Sequence, residues 1–446
     1  MALTGLEIFK LLPKTNCKKC GMPTCLAFAM QLAQKRAKLD DCPDVSDQAK
    51  EVLATAAAPP MRQVKFGSGD NQVTTGRETV LFRHEEKFYS PTVLAVTVSD
   101  KLAGDDLKKR IEAINALQFD RVGLHIAVSA IAVTNESGSA DAFAAAAAAV
   151  KADSSLAMIL VSDSPEAVEA AVAKTADVVP LIAGAKADMA EAMAKIAKEN
   201  KCPLVARADS IEALADLSEK IKAAGVEDIV LSLEGMNLRD QMYNQTRLRV
   251  LSLKKVFRPL GYPTLSLVTE GDSDQQNTAG IALACKYSGI VVLDTAEPYA
   301  LLTILTAVMN VYSDPQKPIQ VEPKVYTIGE PDENSPVMFT TNFSLTYYTV
   351  ESDVEASRIP SYVLVVDTEG TSVLTAYSGD KLNEKTVADA IIKNNVESLV
   401  KHRKLIIPGY VAVMSGKLEE ATSWEVLVGP RESSMLPKYL QEVWQN

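Results

Sequence analysis

The chain has 446 residues, of which 47% are hydrophobic and 23% are charged, and its formal net charge at pH 7 is −11. This length exceeds the usual size of one domain, so two or three hydrophobic cores are expected. A nucleic-acid partner is not expected, because proteins that bind the phosphate backbone normally carry positive charge. The sequence has neither a secretory signal pattern nor a run of about 18 uncharged apolar residues, which predicts a cytoplasmic protein with no membrane partner.

Four of the six cysteines lie close together near the amino terminus, in the pattern Cys17-x2-Cys20-x4-Cys25-x16-Cys42. Because cytoplasmic thiols stay reduced, this spacing indicates a metal site rather than disulfides. It favours a [4Fe-4S] cluster, since a proline directly follows the last cysteine. The alternatives are a structural zinc site, which usually has two paired C-x2-C motifs, a plant-type two-iron cluster, whose gaps differ, and a disulfide pair.

Residues 1–58 are predicted to form this cluster domain, whose small core would gain folding free energy from the metal. Apolar residues at helical spacing, among them Leu26 and Met30, predict a short helix between the third and fourth cysteines. A linker rich in alanine, proline and glycine is predicted to continue to about residue 75. Residues 74–91 are predicted to form a hairpin-like lead-in to the next domain.

Residues 76–315 alternate short apolar runs with amphipathic segments of helical length. Eight β-then-α units in about 220 residues match the count and length of a closed TIM barrel better than an open parallel sheet. The predicted strands are 93–98, 122–128, 156–162, 178–183, 203–208, 228–233, 264–269 and 289–294.

The residues at the ends of these strands suggest no obvious chemistry for the barrel. Polar side chains there include Asp100, Ser162, Glu234 and Asp294. Glu234 with Asn237 is more typical of a helix-capping turn than of a catalytic pair. The barrel is therefore interpreted as a scaffold and a surface for partners.

Residues 325–446 are predicted to form a small doubly wound, Rossmann-like α/β domain, beyond a proline-rich boundary at 314–324. In such sheets a ligand binds outside the carboxyl ends of the strands. Small, hydroxylated and glycine residues follow all four predicted strands, which indicates close approach of the backbone to a broad, flat ligand or to a phosphate-bearing tail. These residues are Thr340, Thr341 and Asn342, then 368–372, then Pro408 and Gly409, then Gly429, Pro430, Arg431 and Glu432.

One motif near the amino terminus and four in the last domain, together with the eight-unit middle, resemble one family over essentially the whole chain. The five motifs are CKKCGMPTC, TTNFSLTYYTVESD, DTEGTSVLTAYSGDK, IPGYVAVMSGKLEE and VGPRES. Together they are similar to the large (gamma) subunit of the corrinoid iron–sulfur proteins of the anaerobic acetyl-CoA (Wood–Ljungdahl) pathway. The resemblance implies an α/β protein with an iron–sulfur mini-domain, a central (β/α)8 TIM barrel and a carboxy-terminal corrinoid-binding domain.

The resemblance also implies two cofactors and their sites. A [4Fe-4S] cluster is expected on Cys17, Cys20, Cys25 and Cys42. A cobamide is expected in the carboxy-terminal domain. The candidate cobamide contacts are Thr340, Thr341, Asn342, Thr346, Gly370, Thr371, Ser372, Val373, Leu374, Pro408, Gly409, Gly429, Pro430, Arg431 and Glu432.

The family's role implies a methyl carrier rather than a self-sufficient enzyme. Its Co(I) corrinoid receives a methyl group from methyltetrahydrofolate through a separate methyltransferase and passes it to acetyl-CoA synthase/CO dehydrogenase. The implied partners also include a small subunit, which forms a heterodimer with this chain, and a low-potential electron donor. The cluster would then restore Co(I) from Co(II).

The histidine content fits a cobamide held base-off. The three histidines are His84, His125 and His402, and none lies in the D-x-H-x-x-G context that supplies a histidine ligand to cobalt in many cobalamin domains. Two alternatives remain at this stage. One is a stand-alone TIM-barrel methyltransferase that binds the pterin itself, and the other is an electron-transfer or scaffold subunit without a corrinoid.

Overall fold

The computed structural model describes residues 5–33, 36–46, 49–50, 53 and 59–444. The chain divides into two compact units, the first with residues 1–118 and 127–312 and the second with residues 119–126 and 313–446. Among the helices of the described residues, none has the length and apolar content needed to cross a membrane.

The cysteine-rich segment contains two short helices that pack against each other. They are Gly5–Leu11 (α1) and Cys25–Ala33 (α2). The predicted helix after the third cysteine is thus confirmed, but it buries a different face. Phe28 and Ala29 lie in the small core, whereas Leu26 and Met30 are exposed, because α2 turns its Phe28 side toward the rest of this segment.

A β-hairpin occupies residues 63–76, where the sequence predicted a linker. Its antiparallel strands are Gln63–Phe66 (β1) and Val73–Gly76 (β2). The side chains of Val64 and Phe66 are fully buried among inward-facing residues at the amino ends of the barrel strands. The prediction of a linker to about residue 75 is therefore wrong from residue 63 onward, since these side chains close the bottom of the barrel. Most of 47–58 lies outside the described residues.

Of the hairpin-like lead-in predicted for residues 74–91, only residues 74–76 form a strand, as the end of β2. Residues 77–92 contain no strand. They are held instead by Glu78, whose buried carboxylate accepts the backbone N–H groups of Tyr89 and Ser90, each at 2.9 Å. The same carboxylate pairs with the buried guanidinium of Arg249 at 3.2 Å, so one ion pair anchors the whole segment.

A second hairpin follows the first barrel strand, Val93–Ser99 (β3), and its helix, Gly104–Asn115 (α3). The strands of this hairpin are Gln118–Arg121 (β4) and Leu124–Ala127 (β5). The prediction of a barrel strand at 122–128 is wrong. That apolar run is mostly half-exposed hairpin, and residues 119–126 belong to the second unit. Val128 is buried, but continuous burial begins only at residue 130.

Eight parallel strands close into the predicted barrel. After β3 they are Ala130–Thr134 (β6), Ala157–Val161 (β7), Leu181–Ala185 (β8), Leu204–Ala208 (β9), Ile229–Leu233 (β10), Thr264–Val268 (β11) and Ile290–Leu293 (β12). Pairing of β12 with β3 completes the circle. The strands are almost wholly buried because helices cover the outside, which explains their nearly continuous apolar runs.

The helices of the barrel alternate with its strands. After α3 they are Ala140–Asp153 (α4), Pro165–Thr175 (α5), Ala190–Asn200 (α6), Ile211–Ala223 (α7), Leu238–Leu253 (α8), Ser273–Cys285 (α9) and Pro298–Tyr312 (α10). Three of them begin at a serine whose hydroxyl accepts the N–H group three residues on, at Ser139, Ser164 and Ser210. Such caps satisfy N–H groups that the first turn leaves unpaired, so each helix starts at a defined residue.

The second unit is built on a five-stranded sheet. Its strands are Val325–Ile328 (β13), Val337–Thr341 (β14), Ser361–Val366 (β15), Lys404–Ile407 (β16) and Glu425–Val428 (β17). Their order is β13-β15-β14-β16-β17, and every pair is parallel except the edge pair β13–β15. The four predicted strands are confirmed, and β13 is an addition.

Five helices accompany this sheet. They are Ser344–Ser357 (α11), Val373–Ser378 (α12), Glu384–Lys393 (α13), Ser415–Thr422 (α14) and Leu436–Val443 (α15). The first two were not predicted, because α11 is rich in threonine and tyrosine, which favour strands. Its amphipathic packing against the sheet overrides that preference.

The burial of Phe66 predicts that the hairpin stabilises the barrel. The substitution Phe66→Ala should lower the free energy of unfolding by about 3–5 kcal/mol, because it removes a fully buried ring from the barrel floor. Denaturant unfolding followed by far-ultraviolet circular dichroism measures this. Phe82→Ala, which removes a half-exposed ring just after the hairpin, is the control and should change little. Equal effects of the two changes would mean that 63–76 is not part of the barrel core.

Candidate functional site

The four clustered cysteines differ in exposure. Cys17 is exposed, Cys20 is half-buried, and Cys25 and Cys42 are buried in the core of the segment. Cys20 packs against the same apolar core, and Cys17, in the loop between α1 and α2, is the exposed member of the group. Water is therefore kept from the buried side of the group but reaches Cys17.

The loop that carries Cys17 has an unusual backbone. Lys14, Asn16 and Lys18 have φ angles of 60°, 49° and 63°, in the left-handed region that side chains other than glycine rarely adopt. Such strain persists only where the surroundings require it, and it is frequent at ligand sites. Here it lets the backbone N–H of Asn16 donate to the sulfur of Cys25 at 3.4 Å, while the Asn16 side chain accepts from the Cys25 N–H at 2.8 Å.

The four sulfur atoms are near neighbours. Burial raises the pKa of the Cys42 thiol. A hydrogen bond with the backbone of Asp44 lowers this pKa, and charge repulsion from Cys20, Cys17 and Cys25 raises it. Four thiolates can share such a space only with a cation, which metal coordination supplies. Among the described residues, no three His, Cys, Asp or Glu side chains already stand in metal-binding geometry. The thiol of Cys17 is directed at Asp44 instead, at 3.5 Å.

The other two cysteines, Cys202 and Cys285, lie in apolar segments of the sequence, which predicts buried core thiols. Cys202 is buried, and burial raises its pKa to about 11, so this thiol stays protonated at neutral pH. The expectation is wrong for Cys285, which is exposed at the end of α9 because α9 turns this residue outward.

A cleft of about 350 Å³ opens at the carboxyl edge of the second unit's sheet. The chain passes from β14 to β15 on one side and then returns to β16 on the other side of β14, so this edge is the topological switch point where ligands bind in open α/β sheets. Ten of the predicted contacts line the cleft. They are Thr340, Thr346, Ser372, Val373, Leu374, Pro408, Gly429, Pro430, Arg431 and Glu432.

Five predicted contacts do not line the cleft. They are Thr341, Asn342, Gly370, Thr371 and Gly409. The side-chain oxygen of Asn342 accepts the N–H groups of Thr368 and Gly370, both at 2.9 Å. Its amide donates to Asp367 at 3.0 Å, so this one buried side chain organises the loop after β15. Gly370 is required in that loop, because its φ is +74° and an added Cβ would lie 2.6 Å from Gln320.

Gly409 joins the ends of two neighbouring strands. A Cβ at this position would lie 2.5 Å from the carbonyl oxygen of Gly429. The N–H of Gly409 donates to Pro430 at 3.0 Å, and that of Gly429 donates to Ile407 at 2.8 Å. The loops after β16 and β17 are therefore locked together by backbone contact.

Several cleft residues were not predicted. Leu345, Thr349 and Val350 come from α11, and Tyr410 comes from the loop after β16. Leu345 and Thr349 are four residues apart, a spacing that places two side chains on the same face of a helix. The sequence could have indicated this only if α11 had been predicted as a helix. Tyr410 donates its hydroxyl to Glu432 at 2.6 Å, and this hydrogen bond to a carboxylate raises the pKa of Tyr410.

Two observations indicate that the cleft is built for a ligand. The hydroxyl of Thr340 is buried at the floor and has no hydrogen-bond partner among the described residues. At the rim, Leu345, Leu374 and Tyr410 expose 53%, 47% and 42% of their surface. An unpaired buried hydroxyl and an exposed apolar rim are both unfavourable in water. A large, flat, partly apolar ligand that lies over the rim and reaches into the cleft would satisfy both.

None of the three histidines lines this cleft. His402 packs against Trp444 and shares a hydrogen bond with the carbonyl of Ser335 at 2.9 Å. His125 pairs with Asp120 at 3.0 Å, and His84 stacks on a phenylalanine.

The mouth of the barrel is a second polar cavity, but its charges neutralise one another. Arg207 pairs with both Asp163 and Glu234, and Asp294 accepts a hydrogen bond from Thr97. Asn237 caps α8 by accepting the N–H of Asp240 at 3.0 Å, as the capping interpretation expected. Glu234 is engaged with arginine instead.

Comparison with known proteins places the chain in a family. Residues 63–440 match the family described as CO dehydrogenase/acetyl-CoA synthase delta subunit, and residues 12–43 match the family described as "Putative Fe-S cluster". The chain is 47% identical to the corrinoid/iron-sulfur protein large subunit of Moorella thermoacetica, over 97% of each chain. The chain belongs to the family of this corrinoid/iron-sulfur protein large subunit.

An archaeal relative extends the comparison. The acetyl-CoA decarbonylase/synthase complex subunit gamma of Methanothermobacter thermautotrophicus is 38% identical over 99% of each chain. The resemblance inferred from the sequence motifs is confirmed, and the full-length matches favour the large or gamma subunits over the delta subunit.

Among solved structures, the barrel is similar to dihydropteroate synthase from Thermus thermophilus. The similarity covers 57% of this chain and 100% of that one, with 14% identity and a TM-score of 0.41. A likeness of this size supports no statement about function.

The unpaired hydroxyl of Thr340 leads to a prediction with a matched control. Thr340→Val should stabilise the ligand-free protein by about 1 kcal/mol, because a buried hydroxyl without a partner is replaced by a methyl group. It should also weaken ligand binding in the cleft by roughly five- to tenfold. Thermal unfolding and a corrinoid titration measure the two effects.

The control is Thr341→Val, since the hydroxyl of Thr341 is also buried and unpaired but lies outside the cleft. It should stabilise the protein without a change in binding. If both variants bound the corrinoid as tightly as the parent protein does, Thr340 would have no role in the cleft.

Proposed function

We propose that the chain is the large subunit of a corrinoid iron–sulfur protein and carries methyl groups in the acetyl-CoA pathway. The observation that carries this proposal is the presence, on one chain of the family, of a four-cysteine segment and a switch-point cleft with an unpaired hydroxyl at its floor. Electron entry and methyl binding are thereby assigned to separate parts of the molecule.

Cys17, Cys20, Cys25 and Cys42 would hold a [4Fe-4S] cluster. When bound, such a cluster supplies single electrons at a potential set by its hydrogen bonds and its exposure. The N–H of Asn16 stabilises negative charge on the Cys25 sulfur, and the burial of Cys25 and Cys42 keeps water away from one side. The exposed loop around Cys17 leaves the other side open to an electron donor.

The cleft residues would hold a cobamide. When bound, a cobamide supplies a cobalt centre that accepts and releases a methyl group. Thr340 would donate its hydroxyl to an acceptor on the ligand, and Leu345, Leu374 and Tyr410 would shield the face of the ring from water. The locked loops at Gly409 and Gly429 would hold this wall in one position.

The positions of the histidines support a base-off cofactor without a protein histidine under the cobalt. The imidazoles of His84, His125 and His402 are engaged elsewhere, and none reaches the cleft. Without a strong axial donor, low-coordinate cobalt is favoured, which suits methyl acceptance and lets a low-potential donor restore the reduced state.

The partners follow from the same role. Relatives named as subunits of an acetyl-CoA decarbonylase/synthase complex support assembly into a larger complex. We assign a small subunit as the permanent partner, and a methyltetrahydrofolate methyltransferase and acetyl-CoA synthase/CO dehydrogenase as the donor and acceptor of the methyl group. A low-potential electron donor would serve the cluster.

The first test is the visible absorption spectrum of protein purified without oxygen, together with cobalt and iron analysis. Corrinoid bands and a broad iron–sulfur shoulder, with stoichiometric cobalt, are expected. Iron without cobalt would indicate an electron-transfer or scaffold subunit instead. Turnover of methyltetrahydrofolate by the isolated chain would indicate a stand-alone methyltransferase.

Cys20→Ala separates the roles of the two cofactors. The variant should lose reductive reactivation by more than about tenfold, because changes even beyond the ligands of a metal site weaken it by 10- to 100-fold. Methyl transfer from protein that is already reduced should be unchanged. Iron content, the rate of reactivation by a chemical reductant and single-turnover methyl transfer are the measurements.

The control is Cys285→Ala, an exposed cysteine on the barrel that should leave all three quantities unchanged. An equal loss of reactivation and of methyl transfer in Cys20→Ala would count against a separate electron relay.

A further inference from the structure

One cation at the edge of the cleft in the second unit has no partner among the described residues. Of the residues that line the cleft, only Arg431 and Glu432 are charged, and both are exposed. Glu432 accepts the hydroxyl of Tyr410 at 2.6 Å and keeps its negative charge. In the described part of the chain, the guanidinium of Arg431 forms neither an ion pair nor a hydrogen bond, even with this neighbouring carboxylate. A guanidinium left unpaired at the edge of a cleft is available to an anionic group on the ligand.

The backbone around Arg431 is held rigidly. Pro430 accepts the N–H of Gly409 at 3.0 Å, and the N–H of Gly429 donates to Ile407 at 2.8 Å. The approach is so close that a Cβ on Gly409 would lie 2.8 Å from the nitrogen of Arg431. The Cα of Arg431 is therefore fixed relative to the floor of the cleft, while its side chain is free to reach a ligand.

The residue two positions beyond Arg431 supplies a hydroxyl. Ser433 also lines the cleft. A guanidinium and a neighbouring hydroxyl are donors that suit a phosphate, to which arginine can donate two parallel hydrogen bonds.

A cobamide has a single group of this kind. Its peripheral acetamide and propionamide chains are neutral, and its one phosphodiester joins the ring to the lower nucleotide. We propose that Arg431 binds this phosphodiester and so makes the cleft selective for complete cobamides over corrinoids that lack the nucleotide loop. The inference rests on the proposed function, in which this cleft holds the cobamide.

This assignment gives the two ends of the cofactor different partners. The ring lies against the apolar rim and the Thr340 side of the cleft, and the nucleotide loop is held at the junction of the β16 and β17 loops. A cofactor held through its phosphate needs no protein ligand on cobalt to stay in place. The anchor therefore does not interfere with the coordination of the metal.

The test compares cobalamin with cobinamide, which has the same ring but no phosphate or nucleotide. Corrinoid-free protein, as the full-length chain in its purified complex, is titrated without oxygen with each corrinoid, and binding is followed by visible absorbance. Arg431→Gln should weaken the binding of cobalamin by roughly 10- to 100-fold, as expected for loss of a charge-assisted hydrogen bond pair. It should change the binding of cobinamide by less than about twofold.

Three further measurements sharpen the comparison. Arg431→Lys should recover only part of the affinity for cobalamin, because lysine retains the charge but not the two-pronged geometry. Added salt should weaken the binding of cobalamin to the parent protein and have little effect on Arg431→Gln. Lys438→Gln removes an exposed charge on α15 that pairs with Glu442 outside the cleft, and it should leave both affinities unchanged.

The free energy that cobalamin spends on releasing its own base is the same for every variant, so it cancels when the affinity of each variant is compared with that of the parent protein. A parallel loss for cobalamin and cobinamide, or no loss for either, would overturn the phosphate assignment while the proposed function stands. Failure of the parent protein to bind either corrinoid would overturn both.

Discussion

Parallel strands bring all of their carboxyl ends to one edge, and this constraint governs the chemistry of both units. In the barrel, Arg207 pairs with both Asp163 and Glu234 at that edge. In the second unit, the same edge leaves two groups without partners among the described residues, the buried hydroxyl of Thr340 and the exposed guanidinium of Arg431. The unpaired buried hydroxyl is unfavourable, so a ligand that accepts its hydrogen bond would stabilise this edge.

The cysteine segment is incomplete in a similar way. Its core is small, its loop holds three residues in the left-handed region, and its four sulfurs repel one another when ionised. Each of these features is unfavourable for the polypeptide alone, and each is offset by a bound metal cluster. The barrel has no comparable need of a bound group in its core, since its strands are almost wholly buried.

Buried side chains fix the segment that precedes the first strand of the barrel. The buried pair of Glu78 and Arg249 anchors the segment between the β1–β2 hairpin and the barrel, and Phe66 fills the barrel floor. The chain that leads from the cysteine segment thus enters the barrel at a fixed point. Function is divided accordingly, with rigid packing at the amino ends of the strands and ligand chemistry at the carboxyl ends.

The sequence alone determined the features that depend on local pattern. The spacing of the cysteines, the repeated apolar runs of the barrel and the glycine and hydroxyl residues after the strands of the last sheet are all visible in the order of residues. Their identification needs only the periods of helix and strand and the chemistry of thiolates. Seven of the ten predicted contacts that line the cleft follow from this pattern, and the other three, Thr346, Val373 and Leu374, came from the family resemblance.

The tertiary structure alone decided which apolar runs form barrel strands, and which form hairpins or helices instead. The run at 63–76 forms a hairpin whose Val64 and Phe66 side chains are buried in the barrel floor, and the run at 122–128 lies mostly in a half-exposed hairpin. No local period reveals either arrangement. The helix α11 formed against its β-like composition because its apolar face packs on the sheet. The tertiary structure also decided the partners of the charged side chains. Glu432 accepts a hydrogen bond from Tyr410, which comes from a different strand end, whereas its neighbour Arg431 has no partner among the described residues.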